Sequence, residues 1–491
     1  MQANDQKHPI PYMISLKRIG LLLGPLLFVI VILLPAPKGV SLEAWKVIAL
    51  AVLMLVWWIS EAVPMAVTAL LPMLFLPLMK VAPLKEATVP YSNPVVFLFM
   101  GGFMIALAME KWNLHRRIAM GIVRRTGVNA DGIILGFMLA TAFVSMWISN
   151  TATAVMMLPI ASSVTQLLIT DSDAQSEKGM RYFSLSMMLG IAYSASIGGM
   201  ATLIGTPPNV VFKGYMLSVF DYEVSFAKWM LVCLPFALLL LLCMFFLITK
   251  ILYPNNLGRF EHALNLIKTE SEKLGPMRSG ERTTLIIFIT AALLWIGQSP
   301  INGLFPGLGL SDELIALVAG ISLFIIPADG LIGKPVLEWG DTEKLPWGIL
   351  LLFGGGLSVA VALENTGVIK LIGQQFEGIQ NADFLIIIGL SVVTVYLSEI
   401  MSNVALVTVM LPVVGAVAVG AGISPVLMCL PVTLAASCGF MLPMSTPPNA
   451  IVFASGQLTI SQMVKAGFWL NIISIVFIAL ICYYIMPLIF N

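Results

Sequence analysis

Two short turns, Ser149-Asn150-Thr151 and Ser402-Asn403-Val404, place small oxygen-bearing side chains inside otherwise apolar sequence. Each has a serine one helical turn earlier, Ser145 and Ser398. Hydroxyls, an asparagine carbonyl and freed backbone carbonyls form an all-oxygen, neutral donor set suited to a hard cation such as sodium. A second pair of motifs, Thr206-Pro207-Pro208-Asn209 and Thr446-Pro447-Pro448-Asn449, carries complementary chemistry. Two successive prolines remove two amide donors and clash with the preceding turn, so a helix must break there. Thr206 and Thr446 then stand at N-cap positions with proline at the first helical positions. The free amides at such an end attract an anion, and the carbonyls ending the preceding half-helix suit sodium.

The elements that position these residues are membrane spans. Of the 491 residues, 59% are hydrophobic and 10% charged, against about 25% charged in a soluble protein. Charge-free runs near the roughly 20 residues needed to cross a bilayer recur along the chain. They predict spans near 16–35, 43–60, 62–79, 92–110, 180–220, 224–250, 281–297, 312–327, 346–364, 424–455 and 463–489, eleven crossings in an all-α membrane protein. Segments 131–170 and 382–420 are each interrupted at the middle by a Ser-Asn turn and read as re-entrant hairpins. No small-residue cleavage site follows the apolar stretch after Arg18, which reads as a retained first span. With the N-terminus cytoplasmic, nineteen Lys and Arg fall inside and seven outside, the bias expected of a multi-pass plasma-membrane protein.

The motifs occur as two copies of one unit. Phe99-Met100-Gly101-Gly102 aligns with Phe353-Gly354-Gly355-Gly356 at an offset of 254, Ser149-Asn150 with Ser402-Asn403 at 253, and Thr206-Pro207-Pro208-Asn209 with Thr446-Pro447-Pro448-Asn449 at 240. The slippage falls at the polar insert DSDAQSEKG of the first copy. The organisation predicted is N-terminal scaffold spans over 1–91, a first repeat over 92–250, a cytoplasmic linker over 251–282, and a second repeat with the C-terminal span over 283–491. By the span count the copies run in opposite directions, and inverted repeats with helices broken in matching places mark secondary transporters. Ser, Thr and Asn also bridge helices in membranes, yet two different motifs duplicated in the same order are hard to explain by packing alone.

The remaining polar residues divide more simply. Glu110 and Glu364 end spans and are expected to face water; Glu61 joins two spans at the interface. Glu399, beside Ser398, is an ionisable residue within the membrane and hence a functional candidate; orienting the hairpin tip, sensing protons and gating all stay open. Segment 111–125 reads as an amphipathic helix at the inner surface, a solvated arm rather than a lipid-headgroup binder. The five cysteines lie in apolar segments without a Cys-x-x-Cys pair and read as core residues. His8, His115 and His262 lie outside the spans, which argues against a histidine proton relay. No phosphate loop, His-Glu-x-x-His or filter-like repeat is present, against an ATP-driven pump, an enzyme and a channel respectively. No nucleic-acid partner is expected.

At these motifs the chain closely resembles the divalent anion/sodium symporter family, which carries C4-dicarboxylates, citrate and sulfate, and the resemblance runs from the first span to the C-terminus. It implies a homodimer in the lipid bilayer, each protomer with a scaffold and a transport domain that moves elevator-fashion. It implies one sodium at Ser145, Ser149, Asn150 and the Gly205 backbone, and another at Ser398, Asn403 and the Ser445 backbone. Substrate carboxylates are implied at the two Ser-Asn turns (Ser149, Asn150, Thr151, Ser402, Asn403) and at Thr206 and Thr446, with Pro447 nearby. In one respect the chain departs from many relatives: Val404 stands where they place threonine, which removes a hydroxyl donor and bears on the choice among succinate, malate, fumarate, citrate and sulfate. Sodium-coupled dicarboxylate uptake is the function implied, with sodium-independent carboxylate exchange as its rival.

Overall fold

Asn, Ser and Thr punctuate the apolar runs, and several of them open a helix. Ser41, Asn93, Asn129, Ser225, Ser311 and Thr459 each accept a backbone N–H from the first turn of the helix that follows. Such caps satisfy donors that would otherwise be orphaned in an apolar medium. We describe the protein from a computed structural model, over residues 11–127, 129–170, 177–258, 260, 268–329, 333–376 and 383–490. Parts of the expected linker (259 and 261–267, with His262), His8, residues 171–176 of the polar insert and residue 382 of the second hairpin lie outside the described residues. Among the described residues every named element is helical, and one isolated β-bridge joins Pro327 to Pro335.

Eight of these helices are long and apolar enough to cross a membrane: Leu42–Ser60, Leu84–Lys111, Glu177–Met200, Phe226–Leu252, Ser279–Leu304, Trp347–Asn365, Asn403–Ala421 and Ile460–Phe490. Three expected spans are divided, and proline opens the helix that follows each division. Pro72 opens the second piece of Met65–Leu78, Pro207 and Pro208 separate Glu177–Met200 from Pro207–Phe220, and Pro447 and Pro448 separate Pro425–Ala436 from Pro447–Phe453. Both expected hairpins are helix-turn-helix units: Ala130–Ser145 with Asn150–Thr170, and Asp383–Ser398 with Asn403–Ala421.

Outward faces of these helices are themselves apolar. On Asp312–Ile325, Leu314, Val318, Ile321 and Ile325 are exposed while Ile315, Ala316, Ala319 and Leu323 are buried. A helix apolar on both faces, spaced at three and four residues, belongs in lipid. Ile286, Ile289, Leu293 and Ile296 repeat the pattern on Ser279–Leu304.

Close backbone approach explains the paired glycines. A methyl group on Gly101 would lie 2.3 Å from the Ala316 carbonyl oxygen, and one on Gly355 would lie 2.2 Å from that of Ala69. The two aligned glycines thus serve the same purpose, letting one apolar helix rest directly on the backbone of another. Through the second contact the N-terminal helices share a hydrophobic core with Leu352, Val359 and Ala405 of the second copy.

The arm at 111–125 is more firmly held than a solvated connector. Its helix, Leu114–Val123, buries Leu114, His115, Ala119, Met120 and Val123 and packs on Ala130–Ser145. Arg117 pairs with the buried Glu281 and donates to the Gly275 carbonyl at 3.1 Å, and Trp112 Nε1 donates to the Val336 carbonyl at 3.0 Å. Its apolar stripe faces protein, so the arm is part of the fold. Glu61 is exposed, with Lys17 at 3.6 Å. Glu364 is exposed and Glu110 half-buried. All five cysteines are free, and four are buried.

Candidate cation and anion site

The first hairpin turns at Met146–Ser149, and its tip is fastened from both sides. Ser149 Oγ accepts the Ala152 N–H at 3.2 Å and so caps the second leg. Opposite the tip lies the unwound stretch between Met200 and Pro207, whose Thr202 hydroxyl donates to the Met146 carbonyl at 2.5 Å. Ser145 Oγ lies 2.7 Å from Asn150 Oδ1 and 2.7 Å from the Ala195 carbonyl oxygen. One hydroxyl proton cannot serve both acceptors at once, so three oxygens, two buried and one partly buried, converge with a surplus of lone pairs. Gly205 sits at the same place: a methyl group on it would lie 2.5 Å from the Gly199 oxygen and 3.0 Å from the Met146 oxygen. The structure therefore brings Ser145, Asn150 and the Gly205 backbone together.

The second copy repeats this plan with different details. Gly439 lies against Ser398 and Ser445: a methyl group on it would meet Ser445 Cβ at 3.0 Å and Ser398 Oγ at 3.1 Å. Ser398 is buried, but its hydroxyl bonds to Val395 within its own helix. Asn403 Oδ1 is consequently buried with no donor. An unpaired buried acceptor is costly in a protein interior, and a cation would relieve it.

Two residues outside the expected ligand sets hold the unwound stretches in shape. Asn209 Nδ2 donates to the carbonyls of Gly199 at 3.1 Å and Thr202 at 2.7 Å. At the same offset of 240 residues, Asn449 Nδ2 reaches the carbonyls of Gly439 at 3.2 Å and Leu442 at 3.1 Å. Both asparagines are fully buried with Oδ1 unpartnered. Their matching place in the duplicated Thr-Pro-Pro-Asn motif was the signal for this role. Ala195 and Thr202 gave none, since an alanine contributes only its backbone and the counterpart of Thr202 is Leu442.

Thr206 and Thr446 both have the extended backbone of an N-cap, but only Thr446 caps with its side chain, accepting the Asn449 N–H at 3.4 Å. Prolines at the first two positions leave the asparagine amide as the first available donor. In the first copy that amide goes to the Thr206 carbonyl instead, at 3.2 Å, and the Thr206 hydroxyl makes no capping bond. Ser149, Thr151 and Pro447 are exposed, whereas Ser402 is half-buried and makes no side-chain capping bond. Val404 is half-buried and packs against both hydrophobic cores, so the mismatch with Thr151 is one of environment as well as chemistry.

The copies also pack crosswise. Pro207–Phe220 lies against Asn403–Ala421 and Pro425–Ala436, while Pro447–Phe453 lies against Asn150–Thr170 and Glu177–Met200. Where the unwound stretches meet, Cys438 Sγ is 3.9 Å from Met200 Sδ. Both Ser-Asn turns and both Thr-Pro-Pro-Asn turns thus belong to one interlocked assembly.

Glu399 is buried here and is tied to the second unwound stretch. Its carboxylate accepts the backbone N–H groups of Phe440 at 2.9 Å, Met441 at 2.9 and 3.1 Å and Leu442 at 3.0 Å, and Asn471 Nδ2 at 2.8 Å.

Spanning helices broken at matching places, with oxygen-rich turns packed against the breaks, define a multi-pass membrane transporter. The chain belongs to the sodium:sulfate symporter family: residues 16–490 match the family described as "Sodium:sulfate symporter transmembrane region". It is 38% identical over 475 residues to the "Sodium-dependent dicarboxylate transporter SdcS" of Staphylococcus aureus (strain USA300), covering 96% of this chain and 91% of that one. The protein of the same name from Staphylococcus saprophyticus matches at the same identity and coverage. Among solved structures, the fold is similar to that of the Alcanivorax borkumensis YdaH transporter, with TM-score 0.56, 12% identity, and 96% of this chain and 97% of that one covered. Neisseria gonorrhoeae MtrF matches with TM-score 0.54 and 13% identity over 97% of this chain and 95% of that one.

Proposed function

We propose that this protein is a secondary active transporter that couples sodium entry to uptake of a C4-dicarboxylate such as succinate, malate or fumarate. The observation that carries the reading is a pair of electron-rich oxygen arrangements at the hairpin tips: Ser145, Asn150 and the Ala195 carbonyl converge in one copy, and in the other Asn403 Oδ1 is buried without a donor while Ser398 and Ser445 meet at Gly439. Sodium is cargo in this scheme. Ser145, Ser149, Asn150 and the Gly205 backbone would hold one ion, and Ser398, Asn403 and the Ser445 backbone a second. The dicarboxylate would lie between the turns, against Ser149, Asn150, Thr151, Ser402, Asn403, Thr206 and Thr446, with Val404 and Pro447 alongside. The sodium ions would supply positive charge beside a doubly charged anion in a site whose proposed ligands include no Lys or Arg. The relatives named as sodium-dependent dicarboxylate transporters support the same coupling.

In this scheme the copies are inverted in the membrane, the hairpins re-enter from opposite faces, and the N-terminus is cytoplasmic in a plasma-membrane homodimer. Alternating access follows from an elevator movement of the hairpins and broken helices against the remaining spans. The test is uptake of labelled succinate by proteoliposomes. An inward sodium gradient is expected to drive accumulation, and replacing external sodium with choline is expected to remove it; sodium-independent exchange would overturn the proposal.

Substrate choice is assigned to the mismatch between Thr151 and Val404. Val404→Thr restores a hydroxyl to the second turn and is expected to change the relative uptake of succinate, citrate and sulfate by several-fold, about the worth of one hydrogen bond to an anion. Identical uptake ratios in the variant and the parent would remove position 404 from the substrate site.

A further inference from the structure

The two hairpin tips are fastened to their unwound stretches by different chemistry. In the first copy the fastening is neutral, a Thr202 hydroxyl on the Met146 carbonyl. The residue aligned with Met146 is Glu399, at the same offset of 253 as the Ser-Asn turns. There the fastening is a carboxylate that gathers three consecutive backbone amides, Phe440 to Leu442, together with the Asn471 side chain. Every one of these donors is a neutral N–H group. Among the described residues no Lys, Arg or His forms an ion pair with Glu399, although it is only 4% exposed. Amide dipoles solvate a buried carboxylate without neutralising it, and a buried charge in a membrane protein ordinarily has a counter-ion.

The geometry points to the second sodium ion as that counter-ion. Glu399 follows Ser398 directly, and its first donor, Phe440, follows Gly439, whose backbone abuts Ser398 Oγ and Ser445. The carboxylate is therefore one residue from the second cation site along both segments that build it. It has two effects there. By holding three amides inward, it fixes the stretch that leads to Ser445. By carrying an uncompensated negative charge, it draws a cation to that site and not to the first, where Met146 is neutral. Glu399 is thus a positioning residue that makes the two sodium sites unequal. The second site is the tighter of the two and fills first. This rests on the two-site reading above.

The test is sodium-dependent thermal stabilisation of purified protein without substrate, titrated with NaCl against choline chloride at constant ionic strength, beside sodium-dependent succinate uptake. In the full-length protein, Glu399→Gln keeps the shape and removes the charge. It is expected to raise the sodium midpoint about tenfold or more, an unscreened charge at close range being worth at least that, while the succinate KM at saturating sodium changes less than twofold. Combined with Ser398→Ala the effect is expected to be non-additive, and combined with Ser145→Ala additive. A variant that keeps the charge and loses one donor, Asn471→Ala, is expected to shift the midpoint in the same direction by about two- to threefold, the worth of one hydrogen bond, and probes the same carboxylate should Glu399→Gln fail to fold. Unchanged midpoints in the variants, or a raised succinate KM with an unchanged sodium midpoint, overturn the role of Glu399. Absence of any sodium-specific stabilisation in the parent protein overturns the two-site reading itself.

Discussion

Asn150→Ala and Asn403→Ala are each expected to cut sodium-driven succinate uptake by at least about 100-fold, roughly the loss of one or two interactions with charged species. Each asparagine opens the second leg of its hairpin. Asn150 Oδ1 belongs to the oxygen cluster with Ser145 and Ala195, and a methyl group on Gly199 would touch that same oxygen at 2.5 Å. Asn403 Oδ1 is buried with no donor at all. Alanine therefore removes a proposed cation ligand in both cases, at the loss of one hydrogen bond to Ser145 in the first copy and of none to the Asn403 oxygen in the second. The two variants are expected to keep the size-exclusion profile of the parent and to differ in sodium response, each retaining the site of the other copy. Uptake within a factor of two or three of the parent in both variants would contradict the assignment.

Lys213→Met is expected to be the most destabilising single change. Lys213 is 1% exposed and lies on Pro207–Phe220, with Nζ 2.8 Å from Asp312 Oδ2 and 2.9 Å from Glu313 Oε1. The same Asp312 oxygen accepts the Phe226 N–H at 2.9 Å, and Asp312 is fully buried. Removing the cation leaves a carboxylate stranded among apolar side chains, at a cost of about 3–5 kcal/mol where only one partner of a buried pair is lost. A melting temperature several degrees lower in detergent is the result to look for. Replacing Asp312 by Asn in the same chain removes the stranded charge and is expected to recover much of the loss. A Lys213→Met protein that melts with the parent would show that the pair carries no load. The inside–outside charge bias groups Lys213 with the outer, solvated residues; its neighbours in sequence are apolar, and only the acidic pair nearly a hundred residues away reveals why a lysine is tolerated there.

The helical breaks were legible because proline acts locally. Pro207-Pro208 and Pro447-Pro448 interrupt their helices where the backbone must be interrupted, and the Ser-Asn turns separate hairpin legs at the expected places. The duplication was legible because motif and order repeat together. Contacts that join distant segments left weaker traces. Glu399 stood out as a charge in an apolar run, but its role depends on amides 41 to 43 residues away that any sequence would supply. Asn471 is an isolated polar residue in an apolar span, which was a usable signal, whereas Thr202 and Ala195 act through a hydroxyl and a carbonyl of types found everywhere. The arm at 111–125 shows the converse. Its amphipathic pattern was correctly periodic, but periodicity does not say whether lipid, water or another helix covers the apolar side, and the covering proved to be the first hairpin.

The central claim is that sodium and dicarboxylate cross together. It is tested most directly by following radiosodium and labelled succinate at once in the same proteoliposomes, with no counter-substrate inside. Coupled entry predicts that each flux requires the other solute and that the two stop together in Asn403→Ala. Succinate entry that needs internal carboxylate and leaves radiosodium outside would contradict the account and establish exchange in its place.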